Sequence, residues 1–184
     1  DAKRNAVSLT YTLEDNFGSG VVVSGLGFLL NNEMGDFNAA PGLTDKEGHI
    51  GTAANLAQPG KRMLSSMAPT IVVKDGKLFM VTGSPGGRTI ISTVLMTLIN
   101  VIDFGLNAQE AVDSVRIHHQ WQPDILNIER DGLSHDVIQA LAAKGHKIVE
   151  GSPQGAAEVI LVSENNALSA GVDHRSLDGK ASGK

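Results

Sequence analysis

A change of rhythm between Pro69 and Phe104 constrains this chain more than any other feature. Ile71-Val72-Val73 and Leu78-Phe79-Met80-Val81 are apolar runs of strand length, and the Asp75-Gly76 pair between them suits a two-residue turn with positive φ. A hairpin is expected there. Thr82-Gly83-Ser84-Pro85-Gly86-Gly87 can then hold no regular element. From Thr89 onward Ile90, Ile91, Val94, Leu95, Leu98, Ile99 and Ile102 recur at the spacing of a buried helix face. The loop between strand and helix has two readings. It is an ordinary turn, or it is a nest in which paired glycines bring the unpaired N–H groups of a helix start close to an anion or a developing oxyanion. It lacks the spacing of a phosphate loop or a dinucleotide fingerprint, so no nucleotide is implied.

The 184 residues are 41% hydrophobic and can bury a core, and the length suits a single domain over 1–184. Aromatic residues make up only 4%, so the core must be built from Val, Ile, Leu, Ala and closely approaching Gly. A formal charge of -5 without a basic cluster excludes a nonspecific nucleic-acid surface. No apolar run is long enough to span a membrane, because the 90–104 segment is interrupted by Thr, Asn and Asp. Cysteine is absent, which removes thiol catalysis and disulfides. The six histidines are scattered, and adjacent His118 and His119 point apart in any regular element, so no metal set is expected. No cofactor is implied.

Along the chain, residues 5–13 alternate, with Val7, Leu9, Tyr11 and Leu13 on one face and Ala6, Ser8, Thr10 and Thr12 on the other, as in a half-exposed strand. Val21–Val23 and Gly27–Leu30 read as short strands. Glu33 and Asp36 follow in a polar turn, as solvated loop residues or as a carboxylate pair for an ammonium group. Residues 38–61 have no periodicity, and so long a link is expected to act as a lid or binding loop. Ser65-Ser66 are either local caps or donors to a carboxylate. Asn107 with Glu110 forms a capping box for a helix to Val115, and Leu126–Glu129 reads as an edge strand. Ser134 caps a helix from His135 to Lys144 whose Val137, Ile138, Leu141 and Ala142 face inward. Lys147–Val149 is a short strand, and 157–162 pairs with 167–172. Strands at both ends with helices between them give an α+β layered protein, and clean βαβ units are scarce.

Four segments in order, TYTLEDNFGSG at 10–20, LLNNEMGDF at 29–37, KRMLSSMAPTIV at 61–72 and TGSPGG at 82–87, resemble the small catalytic subunit of the gamma-glutamyltransferases (gamma-glutamyltranspeptidases). The similarity runs over essentially the entire chain. It implies membership of the N-terminal nucleophile hydrolases and half of a four-layer αββα fold, completed by a large subunit cut from the same precursor. The implied nucleophile is a threonine at the new N-terminus of the small subunit, a few residues upstream of the segment matching Asp1. The chain is therefore expected to be a processed piece whose nucleophile-bearing start is missing. Ser8 and Thr10 are no substitutes, because an interior residue lacks the free α-amine that serves as base.

Residue by residue, the resemblance makes Thr12 the second threonine, which orients the nucleophile. Glu14 falls where relatives help bind the substrate's α-groups. Glu33 and Asp36 would hold the α-ammonium, Ser65 and Ser66 the α-carboxylate, and the Gly86 and Gly87 N–H groups the oxyanion. The implied substrates are gamma-glutamyl compounds such as glutathione, with water, amino acids or dipeptides as acceptors, and the implied location is periplasmic or secreted. Where several bacterial relatives carry a lid tyrosine this chain has Glu47, which leaves room for a glutaryl-cephalosporin acylase-like amidase. An assembly subunit that is catalytically incomplete as it stands is the other alternative.

Overall fold

The computed structural model describes residues 1, 3–38, 42 and 45–183, which form two compact units. The first comprises 1–10, 67–119 and 125–184; the second comprises 11–66 and 120–124.

The expected hairpin opens the first unit. Strand β1 (Thr70–Lys74) pairs antiparallel with β2 (Lys77–Gly83), and Asp75 and Gly76 take φ of 51° and 74°, the doubly positive turn that matches strand twist. Helix α1 (Ile90–Ile102) follows a 3-10 turn at Gly87–Thr89. Helix α2 (Ala108–Asp113) begins with the full capping box, Asn107 Oδ1 accepting from the Glu110 N–H and Glu110 Oε2 from the Asn107 N–H. Then come β3 (Ile117–His118), β4 (Leu126–Glu129), α3 (His135–Ala143), β5 (Ile148–Gly151), β6 (Glu158–Val162) and β7 (Leu168–Val172). Four strands form an antiparallel sheet in the order β1-β2-β6-β7. The other three form the sheet β3-β4-β5, in which β4 and β5 run parallel across α3. The fold is α+β. Met80, Val101, Ala108, Ala111, Val112, Ala157 and Val159 make the core where α1 and α2 meet the larger sheet.

Several local expectations are corrected. Residues 5–13 join no strand, and their alternation survives only as burial and only to Thr12: Ala6, Ser8, Thr10 and Thr12 are half-buried, Val7, Leu9 and Tyr11 are 81%, 78% and 87% exposed, and Leu13 is half-buried. Ser8 explains the preference in its own unit, donating to Thr82 O at 2.8 Å and accepting the Thr70 N–H at 3.1 Å. Val21–Val23 and Gly27–Leu30 meet in one isolated bridge, Val22 to Leu29. Strand β4 is central in its sheet, not an edge. Helix α1 buries Ile90, Thr93, Val94, Thr97 and Val101 and leaves Ile91, Leu95 and Ile102 exposed. Thr97 can be buried because its hydroxyl donates to Thr93 O one turn back. Ser134 makes no side-chain cap bond, and α3 buries none of its residues: Ile138 and Leu141 are half-buried, Val137 and Ala142 exposed. No helix among the described residues is long and apolar enough to cross a membrane.

Candidate functional site

The second unit carries most of the expected site residues. Thr12 Oγ1 accepts the Glu14 N–H at 2.9 Å, closing a short turn in which Glu14 adopts φ of 77°. Asn32 then ties this turn to the acidic one. Its N–H donates to Leu13 O at 3.0 Å, its Oδ1 accepts the Asp15 N–H at 3.1 Å, and its Nδ2 donates to Asp15 Oδ2 at 3.1 Å. Glu33–Asp36 is one turn of 3-10 helix. Glu14 lies against it so closely that a Cβ on Gly35 would fall 2.5 Å from Glu14 Oε1. Loss of hydration against this turn, then the neighbouring carboxylates of Asp15, Asp36 and Glu33, push the exposed Glu14 carboxyl above its ordinary value. A group of carboxylates held this close favours a cation among them.

Ser65 is exposed and Ser66 half-buried, in a segment without regular structure. Asn55 connects them to the acidic turn, for its buried amide bonds both Asp36 O and the Leu64 N–H. Residues 39–41, 43 and 44 of the long link lie outside the described residues. Glu47 is exposed beside an Asp45–His49 pair, Nδ1 to Oδ2 at 2.7 Å.

Gly86 and Gly87 belong to the first unit. Gly86 has φ of 137° and Gly87 φ of 54°, both are exposed, and neither N–H has an intramolecular acceptor among the described residues. The loop is braced from behind by the segment before β6. A Cβ on Gly86 would fall 3.1 Å from Gly155 Cα, Ser84 Oγ accepts the Ala156 N–H at 3.1 Å, and Gly155 sits at φ of 67°.

Four buried charges hold that segment. Arg116 bonds Asp173 Oδ2, Gln154 O (2.6 Å) and Val112 O (2.8 Å). Arg175 bonds Glu129 and Asp173 Oδ1 (3.0 Å). Glu129 accepts the Gln154 N–H and Asp173 the Ala157 N–H, at 2.8 and 2.7 Å. Burial opposes ionisation of Glu129 and Asp173, yet their N–H and guanidinium partners hold both carboxyls below the ordinary range. The fold also brings Asp113, Asp173 and His174 within reach of one cation, a grouping that histidine spacing does not foreshadow. Both Asp173 oxygens are occupied by arginines, which makes it a poor ligand set.

Sequence reasoning missed Asn55, Gly155 and the four charges. Arg116 and Asp173 are 57 residues apart, and no local pattern links them.

The gamma-glutamyltranspeptidase family model matches residues 1–183. The chain belongs to the gamma-glutamyltranspeptidase family. It is 49% identical over 183 residues to the glutathione hydrolase proenzyme of Escherichia coli (strain K12), a match covering 100% of the chain and 31% of that protein. The chain thus spans about a third of the length of such a relative. Among solved structures, gamma-glutamyltranspeptidase from Pseudomonas nitroreducens complexed with L-DON superposes with a TM-score of 0.90 at 42% identity, covering 100% of this chain and 96% of that one. A cephalosporin acylase from Bacillus halodurans is more distant, with a TM-score of 0.73 at 28% identity over 86% of this chain and 28% of that one. The α+β fold is that of the family.

Proposed function

We propose that this chain is the catalytic small subunit of a gamma-glutamyltransferase, which cleaves the gamma-glutamyl amide of glutathione and related compounds. The observation that carries the reading is the convergence of Glu14, Glu33 and Asp36 in a unit that also holds Ser65-Ser66. Carboxylates suit an α-ammonium, and hydroxyl and N–H donors suit an α-carboxylate. A gamma-glutamyl group has both on one carbon.

In this reading the nucleophile is a threonine upstream of Asp1, and its α-amine takes its hydroxyl proton as the oxygen attacks the gamma carbonyl. The Gly86 and Gly87 N–H groups stabilise the tetrahedral oxyanion, the proton passes to the departing amine, and a gamma-glutamyl ester remains. Water or the amine of an amino acid or peptide then attacks the ester and returns the proton to the threonine. Thr12 accepts from the Glu14 N–H, which leaves its own proton to donate to the nucleophile and fix its orientation.

The partner in this proposal is a large subunit of the same precursor. The proenzyme length of the relatives supports it, and so do the exposed Val7, Leu9 and Tyr11 and the bare Ile91, Leu95 and Ile102 of α1, apolar surface that an assembled subunit would cover. The similarity to a cephalosporin acylase favours a second reading, an amidase for glutaryl groups. A glutaryl group lacks the ammonium that the acidic cluster suits. The test is to produce the complete precursor and compare turnover of gamma-glutamyl-p-nitroanilide and glutaryl-p-nitroanilide. The proposal expects a clear preference for the gamma-glutamyl compound; equal or reversed preference overturns it. The proposed location is periplasmic or secreted, and cell fractionation that finds the activity in the cytoplasm would contradict it.

A further inference from the structure

Asn55 is a buried polar side chain in a stretch with little regular structure, and each polar atom of its amide is engaged. Its Nδ2 donates to Asp36 O at 2.7 Å and to Asn38 Oδ1 at 3.2 Å, while its Oδ1 accepts the Leu64 N–H at 2.9 Å. The backbone joins in, with the Asn38 N–H donating to Asn55 O at 3.0 Å and the Asn55 N–H to Thr52 O at 3.1 Å. These partners are far apart in the chain. Asp36 closes the acidic turn, and Leu64 immediately precedes Ser65-Ser66. One amide therefore joins the segment that carries carboxylates to the segment that carries hydroxyls, with directional bonds at both ends. Breaking either end leaves a buried donor or acceptor unpaired, so the separation between the two segments is fixed rather than adjustable.

We propose that Asn55 is a positioning residue that sets the distance between Glu33-Asp36 and Ser65-Ser66, and through it the selectivity for acyl groups bearing both an α-ammonium and an α-carboxylate. The inference rests on the amino-acid pocket proposed above. Both groups of a gamma-glutamyl substrate hang from one carbon, so a site that grips both works only at one spacing. A glutaryl group keeps the carboxylate and lacks the ammonium, and it places no demand on that spacing. Asn55 touches neither substrate nor reacting atoms in this account.

The experiment uses the complete precursor, with its large subunit, carrying Asn55→Ala, and the two p-nitroanilides as probes. For gamma-glutamyl-p-nitroanilide, KM should rise about tenfold or more. The kcat for that substrate, and kcat/KM for glutaryl-p-nitroanilide, should stay within about threefold of wild type. The preference between the two substrates therefore collapses, which a general loss of fold cannot produce because it lowers both alike. An unchanged preference, or an equal loss on both substrates, overturns the proposal. Asn55→Ser, which keeps a hydroxyl too short to reach both partners, should give the same split. If neither variant yields folded, processed enzyme, Asn55 is a structural residue and the proposal falls. A wild-type enzyme without preference for the gamma-glutamyl compound refutes the pocket itself, a failure visible before any variant is made.

Discussion

Replacing Gly155 by alanine should cut turnover and leave substrate affinity in place. Gly155 sits at φ of 67°, where an L-residue costs about 1–2 kcal/mol. Its new Cβ would fall 2.7 Å from Ser84 Oγ, 2.9 Å from Thr93 Oγ1 and 3.0 Å from Pro85 O. The Ser84 and Thr93 side chains have some freedom to rotate. Pro85 O is backbone, and it retreats to ordinary contact only if the Ser84-Pro85-Gly86 segment moves by a few tenths of an ångström. That segment carries Gly86, one of the two proposed oxyanion donors. Losing one such donor outright costs about 3–4 kcal/mol, or about 10²–10³ in kcat, so displacing one should lower kcat by about 10–100-fold. The residues proposed to hold the ammonium and carboxylate lie in the other unit, and KM should stay within about threefold. The folding cost alone should lower Tm by about 2–8 °C. Steady-state kinetics on gamma-glutamyl-p-nitroanilide, beside a melting curve, separates the two effects. A raised KM with intact kcat, or a lowered Tm with unaltered kinetics, would refute the reasoning.

Other predictions follow from the same geometry. Asp36→Ala should raise KM for gamma-glutamyl substrates by about tenfold or more by removing a charged partner of the ammonium, and unchanged kinetics would reject that role. Thr12→Ala should slow the acylation burst in a single-turnover experiment without altering KM, and an unaltered burst rate would contradict its orienting part. Because the Glu14 carboxyl is raised, a smaller fraction is ionised at mildly acidic pH, so KM should fall as pH rises through its titration. A KM that is flat with pH in the wild type, or still falls in Glu14→Gln, counts against it. Glu129 and Asp173 have depressed values in the folded chain, so their contribution to stability is complete above the unfolded value of about 4 and is lost as pH falls through the folded values. Melting temperature should therefore drop steeply only below about pH 4. A decline beginning near neutrality would point to other groups.

What the sequence made legible was local chemistry. Asp75-Gly76 demands positive φ and a hairpin formed around it; Asn107 with Glu110 writes a capping box in four residues; the glycine loop announces itself by composition. Apolar spacing on α1 marked a helix but not which face this chain would bury, because the stripe is wider than its own sheet covers and Ile91, Leu95 and Ile102 are left bare. The alternation at 5–13 failed as a strand for a related reason. Its apolar residues Val7, Leu9 and Tyr11 lie exposed, and its Ser8 side is held by Thr82 and Thr70. In the candidate site, Glu33-Asp36 and Ser65-Ser66 were visible as separate short motifs. Asn55 and the four buried charges were not, since each acts through partners many residues away and the pattern exists only in the folded chain.

The most direct test of the account is to trap the acyl-enzyme. The complete two-subunit protein is mixed with a gamma-glutamyl amide, quenched in acid within a turnover, digested and examined by mass spectrometry. The account predicts a gamma-glutamyl ester on the N-terminal threonine of the subunit that contains these 184 residues, diminished in Gly155→Ala. An adduct on a serine or threonine within the 184 residues, or turnover with no covalent adduct at all, would contradict it.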